Sequence, residues 1–201
     1  MTRKKPVPSL PDPSVLERLC KGLAALDAIA CEDWEGRYHS FNCKWDAKRR
    51  TRMASMRNGS GDDWFLVFAP KGTFLKSFWH EYPRAKVAEV YAGLPPALAP
   101  QLKENAFMMD EGLTFGGWHD GSAWTLRGDA RPMKDELALL SGDPAAYCAY
   151  AEAYFERELP RTAVAQVLAG KPLTQKLVAQ LGEERSLEEL KDDLEEIGYG
   201  R

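Results

Sequence analysis

The apolar positions change their period twice along the chain, and each change marks a change of structure. Leu16, Leu19, Cys20, Leu23, Leu26 and Ala30 recur at three- and four-residue intervals, which lays one apolar stripe along a helix. Ser14-Val15-Leu16-Glu17 reads as the capping box that opens it, and Asp27 falls at the edge of the stripe and weakens it. From Tyr38 the segments become short and rich in aromatic or β-branched residues. Tyr38 to Cys43, Met53 to Met56, Trp64 to Ala69 and Thr73 to Trp79 are separated by Gly, Asn, Asp or Pro-Lys-Gly breaks, the signature of an antiparallel meander.

Asn58-Gly59 accepts the positive backbone angles of a hairpin, and Gly61 extends that freedom. Pro70-Lys71-Gly72 does the same for the next hairpin, and Leu113 to Trp118 with Ala123 to Arg127 reads as a further one. Between them, Leu94-Pro95-Pro96 and Pro100 limit any helix to short pieces. From Met133 the period is helical again. Asp143-Pro144 pairs an N-cap with a proline at the first helical position, Gly170 and Gly182 close two short helices, and Ser186-Leu187-Glu188-Glu189 is a capping box for a last one.

These patterns predict one α+β domain over residues 14–201: an N-terminal helix, an antiparallel sheet of about five or six strands, and a C-terminal helical segment over 133–201. Residues 1–13, with Pro6, Pro8, Pro11 and Pro13, read as a flexible proline-rich arm. Trp64, Leu66 and Phe68 fall on one face of the sheet and Phe65 and Val67 on the other, so both faces need cover. The expectation is that the first helix covers one face and the C-terminal helices the other. A protein partner or a second copy of the chain is the alternative cover.

Composition narrows the class. With 44% apolar and 28% charged residues the chain has the balance of a globular protein, and no apolar run reaches the length of a membrane span. Met1-Thr2-Arg3-Lys4-Lys5 leads into prolines instead of an apolar signal core, which points to the cytoplasm. Cys20, Cys31, Cys43 and Cys148 have no C-x-x-C spacing and read as buried free thiols. The net charge of −3 is unevenly spread. Lys44, Lys48, Arg49, Arg50, Arg52 and Arg57 form a basic stretch around Trp45, read as a solvated loop; without a nucleic-acid motif it does not point to DNA or RNA. The acidic end, from Glu183 to Glu196, is the outer face of the last helix.

Candidate chemistry concentrates around Arg57 to Asp63 and Phe78 to Glu81. Gly59-Ser60-Gly61 lacks the lysine and the following helix of a phosphate-binding loop, and Ser60 lacks the G-x-S-x-G frame of a hydrolase nucleophile. His39, His80 and His119, with Asp63, Glu81 and Asp120, have no ligand spacing that requires a metal. No cofactor is expected.

Two resemblances add to this. Tyr38-His39-Ser40-Phe41-Asn42 with Trp45, Ala54 to Asp62, and Glu196-Ile197-Gly198-Tyr199 look like a family of uncharacterised bacterial proteins that span most of such a chain. Gly59-Ser60-Gly61-Asp62 with Trp64, the Pro70-Lys71-Gly72 turn and Trp79-His80-Glu81 is similar to the Gly-Asp strand-turn-strand element of the SUKH superfamily of bacterial immunity proteins and cell-wall regulators. That similarity implies a toxin-binding or regulatory role. The expectation is a non-catalytic protein-binding domain, immunity-like or regulatory, with Arg57, Asp62, Asp63, Trp79, His80 and Glu81 as its surface. The alternative is a small enzyme or metal-binding protein in which His80, Glu81 and His119 converge on the sheet.

Overall fold

Asp12-Pro13 starts the first helix with the device expected at Asp143-Pro144. In the computed structural model, which describes residues 10–107, 109–182 and 185–200, α1 spans Pro13–Ala30 and the Asp12 carboxylate accepts the Ser14 N–H at 2.9 Å. This corrects the capping box read at Ser14, because Glu17 is turned away to a bidentate pair with Arg52 at 2.8 Å. Residues 1–9 of the expected arm lie outside the described residues. Its remaining part is packed: Leu10 is buried and the Pro11 carbonyl accepts from the Trp124 indole.

The sheet is a six-stranded antiparallel meander in chain order: β1 (His39–Asp46), β2 (Thr51–Arg57), β3 (Asp63–Ala69), β4 (Gly72–Phe78), β5 (Phe115–His119) and β6 (Trp124–Gly128). Ala69 pairs with Gly72 across the two-residue Pro70-Lys71 turn, and Arg57 pairs with Asp63 across the 58–62 loop. The C-terminal part comprises α3 (Lys134–Leu140), α4 (Pro144–Phe155), α5 (Arg161–Leu168), α6 (Gln175–Leu181) and α7 (Lys191–Ile197). Ser186 and Glu189 make the expected reciprocal cap, with N···O distances of 2.7 and 3.3 Å, although regular helix begins only at Lys191.

Cover of the sheet differs from the expectation. Trp64, Leu66 and Phe68 share one core with α1 and the C-terminal helices, so both helical parts lie on the same face. Phe65 and Val67 pack instead under the β4–β5 connection, where Val90, Tyr91, Leu98, Phe107 and Leu113 are buried. That connection contains α2 (Val87–Val90) and short 3-10 turns. Proline blocks long helix there but leaves the apolar side chains free to roof a sheet.

α1 also departs from a one-stripe helix. Every residue from Gly22 to Ala30 is buried, because the helix is sandwiched between the sheet and α5–α7. Gly22 permits the closest approach: a Cβ there would lie 3.1 Å from the Leu168 Cα and 3.2 Å from the Val167 carbonyl oxygen. Among the described residues no helix is long and apolar enough to cross a membrane. The cysteines are free thiols, but only Cys20 is fully buried; Cys31, Cys43 and Cys148 are half-buried. Within the basic stretch, Lys48, Arg49 and Arg50 are exposed on the β1–β2 turn, whereas Arg52 is tied to Glu17.

Candidate functional site

The loop between β2 and β3 is organised by two side chains. Asn58 Oδ1 accepts the amides of Ser60 and Asp62 at 2.9 and 3.2 Å, while its Nδ2 donates to Asp62 Oδ2 at 2.8 Å. Gly59 and Gly61 have φ of 73° and 100°, the left-handed backbone that such a tight closure needs. Asp62 Oδ1 then accepts from both the backbone N–H and the Nδ1 of His80, at 2.9 and 2.7 Å, tying the loop to the chain just beyond β4. Burial acts to raise the Asp62 carboxyl, yet these donors prevail and hold it below the usual range.

Antiparallel register places Arg57, Asp63, Phe65, Lys76 and Phe78 on one face. The Lys76 ammonium is buried, donates to Asp63 Oδ1 at 2.7 Å, and lies 5.3 and 5.6 Å from the Phe65 and Phe78 rings. Burial raises the Asp63 carboxyl above the usual range despite that lysine. Arg57 sits over Phe65 at 5.3 Å and Arg84 over Phe78 at 5.0 Å. The result is a cleft of about 440 Å³ walled by Arg57, Asp62, Asp63, Lys76, Phe78, His80 and Arg84, with Gly59 and Gly61 at its lip.

Of the residues marked in the sequence, Arg57, Asp62, Asp63 and His80 meet in this cleft. Trp79 does not: it packs toward the helical side of the sheet, its backbone N–H donates to Thr114 Oγ1, and its buried Nε1 has no hydrogen-bond partner among the described residues. Glu81 is exposed outside the cleft wall, its carboxylate 3.9 Å from His80 Nε2. Lys76 and Arg84 were missed, and Phe78, inside the marked stretch, was not assigned to the surface. Lys76 had a local signal, a charge alternating with Phe74 and Phe78 on an apolar face; Arg84 follows a proline in a segment without a period.

The histidines do not come together. His119 pairs with Thr73 at one end of β4, whereas His80 follows Phe78 at the other. At about 3.3 Å per residue, the Thr73-to-Phe78 stretch alone is roughly 17 Å. His119 lines a different cleft, of about 320 Å³, with Asp12, Glu17, Arg52 and Thr73. The His80, Glu81 and His119 trio is therefore not assembled, and among the described residues no group of three or more His, Cys, Asp or Glu is placed to hold a metal ion.

His39 is buried between carboxylates that the sequence did not pair with it. Its Nδ1 is 3.1 Å from Asp27 Oδ2 and its Nε2 is 3.3 Å from Glu136 Oε2. Asp27 also accepts the Tyr38 and His39 amides and the Tyr147 and Tyr150 hydroxyls, and Glu136 accepts the Trp64 indole N–H at 2.7 Å. Burial alone would depress the imidazole, but the Asp27 charge and the bonds to both carboxylates outweigh it and push its pKa up to about 10. Asp27, far from weakening α1, is the point where α1, β1 and α4 are joined. Comparison of the chain with protein-family models, with curated proteins and with solved structures found no match.

Proposed function

We propose that this chain is a non-catalytic protein-binding domain, immunity-like or regulatory, that works in the cytoplasm and engages its partner through the cleft between the 58–62 loop and the 79–84 segment. The observation that carries this reading is the gathering of Arg57, Asp62 and Asp63 from one loop with His80, from beyond the next hairpin, around one cleft with an aromatic floor. The loop is held by Asn58 and Asp62 through side-chain bonds instead of depending on a ligand for its shape, so the surface is formed in advance of contact. The sheet faces are less suited to docking, since each is covered by the chain itself.

The test is affinity capture of the tagged chain from its native cells, comparing wild type with Arg57→Glu, His80→Ala and, as a control far from the cleft, Lys191→Glu. A partner retained by wild type and the control but lost with both cleft variants is expected. Capture indifferent to the cleft variants, or no selective capture, overturns the reading. Light scattering of the purified chain distinguishes a second copy from a different protein as that partner.

A further inference from the structure

We infer that the cleft accepts an acidic segment of the partner, with an aspartate or glutamate carboxylate seated against the Arg57 guanidinium and flanked by Arg84 and His80. This rests on the binding role proposed above and specifies its chemistry. Arg57, Lys76 and Arg84 contribute three cationic side chains to the wall against the carboxylates of Asp62 and Asp63.

Exposure sharpens that imbalance. The His80 side chain is 45% exposed, while those of Asp62 and Asp63 are 12% and 18% exposed. Asp62 already accepts from Asn58 and His80, and Asp63 from Lys76, so both wall carboxylates are hydrogen-bonded within the fold, while Glu81 stays exposed beside His80 outside the wall. Arg57 and Arg84 are exposed, each held by an aromatic ring beneath it. Among the described residues Arg57 forms no ion pair within 4.0 Å. An approaching carboxylate therefore finds in the Arg57 guanidinium an exposed cation outside any such ion pair, on a molecule whose net charge is −3.

The shape of the donors selects among anions. A guanidinium presents a planar fork that matches a carboxylate with two parallel bonds. The glycine loop offers little of the amide cradle that phosphate sites use, because the amides of Asn58, Ser60 and Asp62 are bonded inside the loop. Phe78 provides an apolar floor for the methylene groups of a glutamate.

The experiment is titration of the full-length, isotopically labelled chain with a capped hexaglutamate peptide, followed by NMR, alongside capped hexaglutamine and inorganic phosphate. Hexaglutamate is expected to give saturable shifts at residues 57–63 and 80–84 that fade with added salt and weaken roughly tenfold, the loss of one charge-assisted contact, in Arg57→Gln and Arg84→Gln. Equal shifts with hexaglutamine, shifts confined to the Lys48–Arg50 turn, no shifts, or phosphate reproducing the pattern with the same Arg57 dependence would each overturn the inference. Hexaglutamate is also added to the capture experiment. A partner that depends on the cleft but is not displaced by the peptide sinks this inference alone, whereas peptide binding without any cleft-dependent partner sinks the binding role.

Discussion

The imidazole of His39 and the carboxylate of Asp27 are both buried and meet at 3.1 Å, which joins the first strand to the first helix through a charge pair inside the core. Removing either partner has unequal consequences. Asp27→Ala takes the acceptor from two backbone amides, two tyrosine hydroxyls and the imidazole, leaving a buried cation half-paired; a loss of about 3–5 kcal/mol is expected. His39→Ala leaves Asp27 with its other donors and is expected to cost less, about 2 kcal/mol plus the cavity contribution. Urea denaturation measures both, and equal losses would contradict the assigned hierarchy.

The same pair gives a pH dependence of stated sign. A histidine raised from 6.5 to about 10 contributes stability that is fully present below pH 6.5 and is lost as the pH rises through about 10. The urea midpoint of the wild type should fall between pH 7 and pH 10.5 more steeply than that of His39→Gln. Parallel curves would show that the imidazole is not charged in the fold.

Lys76 and Asp63 are coupled across β3 and β4. Lys76→Met should destabilise by about 2–4 kcal/mol by leaving Asp63 without its buried cation, and Lys76→Met with Asp63→Asn should recover part of that loss. The double-mutant cycle reads the coupling directly; additive effects would exclude it.

Gly116 lies where the Tyr91 hydroxyl passes to donate to the Leu75 carbonyl at 2.5 Å. A Cβ at 116 would meet that hydroxyl at 2.7 Å and the Leu75 oxygen at 2.8 Å, so Gly116→Ala is expected to displace Tyr91 and lower stability by about 1–3 kcal/mol. Thermal unfolding tests this, and an unchanged midpoint would mean that the β4–β5 connection adapts freely.

The strands were legible because alternation and Asn-Gly or Pro-Lys-Gly breaks are local, and all six lie where the pattern put them. The Asp12 cap was misread because prolines made its surroundings look like an arm. The role of Asp27 was hidden for another reason: the Tyr147 hydroxyl that it binds lies 120 positions away, and one polar residue on a stripe does not announce partners at that distance. The cleft was half legible. Arg57, Asp62 and Asp63 flank a recognisable turn, but Lys76 and Arg84 reach it only through strand pairing and the path beyond β4.

The all-round burial of the second half of α1, from Gly22 to Ala30, bears on how the chain is made. Each strand pairs with its neighbour in sequence, so the meander can zip up as it leaves the ribosome. The side of α1 that meets α5 and α7 has no such early partner; it waits for residues synthesised well after the sheet. A nascent chain ending before Arg161 would carry a largely complete sheet beside an uncovered Leu-Ala surface, a target for chaperones and for self-association. Truncation at residue 157 should accordingly give aggregated or chaperone-bound protein, read by sedimentation, while the full chain stays dispersed; a soluble, well-folded truncate would show that the last helices are an appendage and not the second wall of the core.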